Sequence, residues 1–392
     1  MLNFKLALKN IIGAGTRTWL NAIVLSIVFV SMIALNGIIE GMNNSTTNNM
    51  KNTIYGGGQF WHKNYDPYDP LTIESSHDRP APQLQTIIKK GLAEPILIIQ
   101  GALYPHGRIK NILVKGIDPE QKILDLPVEK LSTNSEYIPA AIGTRMAKKS
   151  HLEKNDIVTV RWRDQNGTFD AADVKIVQIM NTMVPTVDNG QIWVPYERMQ
   201  EMMGTTNQAT IIVVKQEFIP GLRQAGVWKF RSLEYLLRDI EKLKSVQFVS
   251  YAFMYLLLLF MALLAVFDTQ VLSIFHRRKE IGTLVALGMD KKQVVSLFTL
   301  EGSMYGILSL IIGAIYATPL LIWTARNGIK LPEETGDFGM AISTTLYPIY
   351  DWKIIVVSSL VMLISVSVVS YFPARRISDL EPRDVLAGRD NV

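Results

Sequence analysis

FHRRKEIGTLVALGMDKKQVVSLFTLEG, Phe275 to Gly302, joins two long apolar runs, Ser245–Phe267 and Gly302–Ala325. Between those runs lie Arg277, Arg278, Lys279, Lys291 and Lys292. The apolar residues recur at helical spacing. Ile281, Leu284, Val285 and Leu287 make one amphipathic piece, and Val294, Val295, Leu297 and Phe298 lead into the next run. Gly288 separates the pieces and can end the first with a positive φ. Asp290 suits the N-cap of the second, with Gln293 three residues later as a variant of the capping box. The spacing therefore predicts a helix–Gly–helix elbow with Met289, Asp290, Lys291 and Lys292 exposed at its tip. Two uses of such a tip stay open from the residues alone: docking in a groove of a partner, or anchoring at lipid headgroups.

The runs on either side set the fold class. Ser245–Phe267, Gly302–Ala325 and Ile354–Phe372 contain no Asp, Glu, Lys or Arg. Each is long enough to cross about 30 Å of hydrocarbon at roughly 1.5 Å per residue. Trp19–Ile39 is a fourth such run, preceded by Lys5, Lys9 and Arg17. It is too long for a signal-peptide core and is followed by no small-x-small cleavage site, so it is expected to stay as a membrane helix. The 392 residues include no cysteine, which excludes disulfides, thiolate metal sites and a Cys nucleophile. A net charge of +5, spread beside the apolar runs, gives no concentrated basic face for nucleic acid.

Lysine and arginine near helix ends orient membrane proteins. Three basic segments, the N-terminus, Arg277–Lys292 and Arg375–Arg389, fall on one side of four spans. The segment after Ala325 is acidic, with Glu333, Glu334, Asp337 and Asp351. The expected plan has both termini in the cytoplasm, with an amphipathic segment at 1–18. Membrane helices follow at 19–40, 245–275, 298–325 and 354–372. An extracytoplasmic α+β domain with flanking stalk helices occupies 41–244. The elbow region lies at 276–297 (the coupling-helix region of the resemblance given below), an outer loop at 326–353 and a cytoplasmic tail at 373–392. Leu233, Leu236, Leu237, Ile240 and Leu243 recur at helical steps, so a helix is expected to run unbroken into the second span. Asp268 then falls at the inner interface, as does Glu301, bonded to the elbow.

Within 41–244, ILIIQGALY, NILVKGIDP, GQIWVP and ATIIVVK read as strands, and DIVTVRWRDQNGTFDAADVKIVQI as a hairpin around Gln165-Asn166-Gly167. AAIGTRMAKKSHL and YERMQEMMG read as short helices. His62, His77, His106, His151 and His276 lack ligand spacing, and no metal site is expected. YDPYDP at Tyr65–Pro70 reads as a turn-rich loop, and Gly56–Gly58 as a hinge rather than a phosphate loop. Asn43, Asn44 and Asn166 open glycosylation sequons that matter only in a glycosylating pathway.

RRKEIGTLVALGMDKKQVVSLFTLEG resembles the signature of the FtsX-like permease family, the MacB/LolC/LolE type of ABC transporter membrane subunit. The matching positions are Lys279 (Arg is more usual), Glu280, Ile281, Gly282, Ala286, Leu287, Gly288 and Glu301. YFPARRISDLEPRDVLAG resembles the closing element of that family, through Pro373, Ala374, Arg375, Arg376, Pro382 and Leu386. The resemblance implies a MacB-type periplasmic core and a coupling helix, Glu280 to Gln293, docked on a separate cytoplasmic ATPase dimer. It also implies a second permease copy or a paralogue, and mechanotransmission rather than a channel. With no G-x-x-x-x-G-K-[ST] loop in the sequence, this chain is expected to be no enzyme, to bind no cofactor itself, and to rely on ATP-Mg held by the partner. Within the family, lipoprotein release from the inner membrane is the expected job, with a periplasmic carrier. The alternatives are an efflux or secretion permease with an adaptor, or a non-transport sensor or hydrolase regulator.

Overall fold

The computed structural model describes residues 16–132, 136–182, 184–218, 220–330 and 345–377. Lys5, Lys9, Glu333, Glu334, Asp337, Pro382 and Leu386 lie outside the described residues. The chain divides into a helical unit, which includes residues 244–330 and 345–377, and an α+β unit, Asn43–Leu243.

Helix α1 (Thr16–Met50) outlasts its apolar run, because the polar GMNNSTTNNM continues as helix and a π turn follows at Lys51–Tyr55. The α+β unit then adds β1 (Gly58–His62), α2 (Pro82–Lys89), β2 (Ala93–Leu103), β3 (Lys110–Ile117), β4 (Ile138–Gly143) and α3 (Thr144–Ser150). After these come β5 (Ile157–Arg163), β6 (Phe169–Met180), β7 (Gln191–Pro195), α4 (Tyr196–Met203), β8 (Ile211–Val214), β9 (Gln224–Ala225) and β10 (Trp228–Ser232). Four helices complete the order: α5 (Leu233–His276), α6 (Arg278–Ala286), α7 (Lys291–Asn327) and α8 (Trp352–Ile377).

Strand β2 organises the α+β unit. Its first half, Ala93–Ile96, pairs with β8, while Leu97–Leu103 pairs with β3 and Gly101–Leu103 also with β5. The ring β2-β3-β7-β4-β6-β5 closes on itself, and β8-β1-β10-β9 extends from the other half of β2 as an open sheet. Both faces of β2 are covered. Leu97, Ile99 and Leu103 join one core, and Ile96 and Ile98 join another. That double burial explains an apolar run without alternation. The open sheet has its own core around Phe60, Leu84, Ile212 and Trp228.

Two sequence expectations are corrected here, and three strands are added. The first half of AAIGTRMAKKSHL is β4, not helix: Ile138–Gly143 runs parallel to β6, and its small apolar residues are buried in the sheet. Strands β1, β9 and β10 are five residues or shorter and escaped a reading by pattern, although Trp228, Lys229, Phe230 and Arg231 alternate. Gly56–Gly58 is a close-packed junction rather than a hinge. The Gly57 N–H donates to the Val214 carbonyl at 2.7 Å, and a Cβ at Gly56 would lie 2.4 Å from that same oxygen. The YDPYDP loop is ordered by its own aspartates. The Asp66 carboxylate accepts from Tyr68 N–H at 2.9 Å, and Asp69 from Leu71 N–H at 3.0 Å. The Tyr68 hydroxyl in turn donates to the Asp239 carboxylate.

The buried ionisable groups of this unit include Glu94 and Lys115. Burial pushes the Glu94 carboxyl up to about 8, against the Asp118 N–H that it accepts at 3.2 Å. Burial pulls the Lys115 ammonium, 5.0 Å from the Trp193 ring centroid, down to about 8. The folded carboxyl thus holds a proton that the unfolded chain releases near 4.5, so stability falls as pH rises from about 4.5 to about 8. The folded lysine lacks a proton that the unfolded chain keeps to about 10.5, so stability recovers between about 8 and 10.5. Tryptophan-detected unfolding of the full chain in detergent is expected to show a stability minimum near pH 8, with Glu94→Gln flattening the acid side. A flat profile across that range would contradict the assignment.

The helical unit is a bundle of α1, α5, α7 and α8 around Leu25, Phe29, Ile33, Ala262, Val266, Tyr305, Met362 and Val366. Small residues let α7 and α8 approach: a Cβ on Gly302 would lie 2.3 Å from Ser370 Cβ, and Ser303 and Ser367 hydroxyls bond at 2.8 Å. Facing outward are Phe253 at 69% and Ile315 at 72% exposure, apolar side chains suited to lipid. All four helices are long and apolar enough to cross a membrane.

Candidate functional site

The elbow forms where α5 stops at His276. Arg277 leaves helical geometry (φ −98°, ψ 15°), and α6 begins at the next residue. Gly288 adopts φ +99°, a value that a side chain would strain, and the chain turns into α7. The Gln293 side chain accepts from the Asp290 N–H at 3.1 Å, as the capping pattern predicted. Beneath the elbow, Ile274, Ile281, Val294, Phe298 and Ala374 form a small core joining α5, α6, α7 and α8.

Met289 departs from expectation. It is half-buried against that core, along with Val285 and Val295. The apolar residue left at the tip is Leu287, 81% exposed. The left-handed turn at Gly288 exchanges the two: it points the residue before the glycine outward and tucks the one after it beneath.

Arg277 is the residue that pattern reading missed. Its Nε and Nη2 donate to the Glu280 carboxylate at 2.7 and 2.8 Å, and its Nη1 donates to Glu301 Oε2 at 2.7 Å. Its guanidinium lies 5.0 Å from the Phe298 ring centroid. One planar cation therefore ties the end of α5 to the first turn of α6 and to α7. The hydrogen bonds to Glu280, with the charge of Glu301, hold the arginine above its usual range, and Arg277 holds the Glu280 carboxyl below its own. Glu301 is 5% exposed and Glu280 is half open to solvent. The sequence signal was present, since an arginine three residues before a glutamate at a helix start can fork to it, but the basic cluster hid it.

The remaining site residues divide by position. Gly282 is buried under the elbow, and Asp290, Lys291 and Lys292 are exposed. Pro373 and Ala374 are buried, whereas Arg375 and Arg376 are exposed. Asp268 is exposed on α5, away from the arginine clamp. Among the described residues, no group of His, Asp and Glu is placed to hold a metal ion.

Residues 252–382 match the family model described as FtsX-like permease C-terminal. That stretch of the chain, from α5 through the elbow and α7 to beyond α8, is an FtsX-like permease domain. The chain is similar to a macrolide export ATP-binding/permease protein MacB of Agrobacterium fabrum, with 25% identity over 235 residues, covering 56% of the chain and 34% of the relative. An uncharacterized ABC transporter permease of Methanocaldococcus jannaschii is 30% identical over 123 residues, covering 31% of the chain and 28% of the relative. The chain thus spans about a third of the length of the curated relatives it matches. The extracellular domain of the noncanonic ABC-type transporter YknZ from Gram-positive bacteria shares 16% identity at a TM-score of 0.27, covering 47% of this chain and 94% of that domain. With its four apolar helices, the chain fits a membrane protein carrying a large α+β unit.

Proposed function

We propose that this chain is the permease subunit of an ABC transporter that works by mechanotransmission. A separate ATPase dimer seats the α6–α7 elbow, and the stroke passes through α5 to the α+β unit. The observation that carries this reading is the Arg277 clamp. It makes the elbow one body with the ends of α5 and α7, so that force on the tip moves helices rather than a loose loop. The helix α5 then runs 44 residues without a break, from the elbow to the edge of β10.

In this reading both termini and the elbow are cytoplasmic, the α+β unit is on the outer side of a bacterial inner membrane, and a second copy or a paralogue completes the transporter. The cargo is lipoprotein released from the membrane to a periplasmic carrier. A second reading, export through an adaptor protein, draws its support from the MacB relative.

A photo-crosslinking residue in place of Leu287, in cells, tests the assignment. The expected product is an adduct with a nucleotide-binding subunit. Crosslinks from Leu287 to lipid alone would reject ATPase docking in favour of headgroup anchoring. A matching probe at Phe169, 64% exposed on β6, separates the cargo readings by trapping a lipoprotein or an adaptor.

A further inference from the structure

A second feature lies beside the elbow and plays no part in the clamp. The first turns of α7 and the last turns of α8 enclose an open cavity of about 740 Å3. Its cations come from two helices: Lys291 and Lys292 from α7, Arg375 from α8. Neither lysine makes an ion pair among the described residues. The wall continues as Val295 and Leu300, with the exposed Ser296 beside them.

From this arrangement we infer that the cavity is a binding site for one anionic phospholipid. Concentrated positive charge at the mouth suits a phosphate, and it lies at the start of α7, where the helix dipole also favours an anion. The apolar wall suits the first carbons of an acyl chain. The exposed Ser296 hydroxyl on the same wall can donate to an ester carbonyl, which a free phosphate lacks. The volume falls within the range of about 300–1,000 Å3 that binds small molecules, large enough for a headgroup and glycerol. The site does not depend on which face of the membrane this end of the bundle meets, nor on the cargo of the transporter. Such a lipid bridges α7 to α8 next to the elbow, and so fixes the ends that the Arg277 clamp does not reach.

The test uses the full chain without any ATPase, purified from nanodiscs holding equal phosphatidylcholine and phosphatidylglycerol. Native mass spectrometry then counts retained lipid. Wild type is expected to keep one phosphatidylglycerol in preference to phosphatidylcholine. The double variant Lys292→Glu with Arg375→Glu is expected to lose that preference by about tenfold or more, from the loss of near-surface cations. The milder Ser296→Ala keeps the charges and is expected to weaken retention of phosphatidylglycerol. Lys242→Glu, on the exposed outer part of α5, serves as control and is expected to change nothing. Equal retention of both lipids by wild type, or unchanged preference in the double variant, would overturn the site and leave these cations facing a protein partner. Displacement of the lipid by millimolar inorganic phosphate would show a free-anion site instead, and would overturn it equally.

Discussion

Arg277→Ala is expected to lower the stability of the helical unit by about 3 kcal/mol, because it leaves a buried carboxylate without its cation. The partner that suffers is Glu301, whose side chain is 7% exposed; Glu280, with 52% exposure, keeps its water. Glu280→Ala is therefore expected to cost only about 0.5 kcal/mol, the range of solvent-screened pairs. Arg277→Lys is expected to behave nearly as badly as alanine. A lysine offers a point charge and cannot fork to two carboxylates while lying flat over Phe298. The double variant Arg277→Leu with Glu301→Leu is expected to recover much of the melting temperature, since removing both partners of a buried pair is often neutral. It is expected not to recover ATP-driven transport, because the elbow then loses its tie to α7. Thermal melting of the purified chain followed by helical circular dichroism checks the series. Equal losses in Arg277→Ala and Glu280→Ala would show that Glu301 is not the carboxylate that matters.

The elbow and the four membrane helices were legible in the sequence because their signals are local. Uncharged length marks a span, and a glycine followed by Asp290 and Gln293 marks a turn and a cap within six residues. The α+β unit was legible only where strands alternate or carry β-branched runs. Strand β4 sets Pro139, Ala140 and Ala141 before a glycine end, a composition with little strand signal, and its pairing with β6 on one side and β7 on the other makes it a strand. Strands β1 and β10 pair with each other across more than 160 residues of chain, a contact that no window of sequence contains. The Arg277–Glu301 bond spans 24 residues and depends on the turn at Gly288 bringing α7 back past the end of α5. Spacing located Glu301 at the elbow without disclosing which cation meets it. The exchange of Leu287 and Met289 was illegible for a similar reason: both are apolar, and only the left-handed φ at Gly288 decides which one faces out.

That exchange sets the largest expected effect on partnership. Leu287→Asp is expected to reduce capture of the ATPase subunit by the purified permease by about 30-fold or more, the effect of losing one hot-spot side chain of about 2 kcal/mol. The same change is expected to leave melting within about 0.5 kcal/mol of wild type, because an exposed side chain has little folding energy to lose. Leu287→Met keeps the apolar contact and is expected to dock normally. Met289→Asp should do the reverse of Leu287→Asp. It is expected to destabilise the small core under the elbow first, with loss of docking following from that disorder. Gly288→Val is expected to impair both, since φ +99° is hard for a branched side chain to hold. Co-purification with the ATPase, paired with melting of the permease alone, separates these outcomes. Wild-type capture by Leu287→Asp, together with lost capture on reversing Lys291 and Lys292, would move the dock from an apolar tip to a charged flank. In that case the ATPase would be meeting the same lysines that line the cavity between α7 and α8, and the two proposals would compete for one surface.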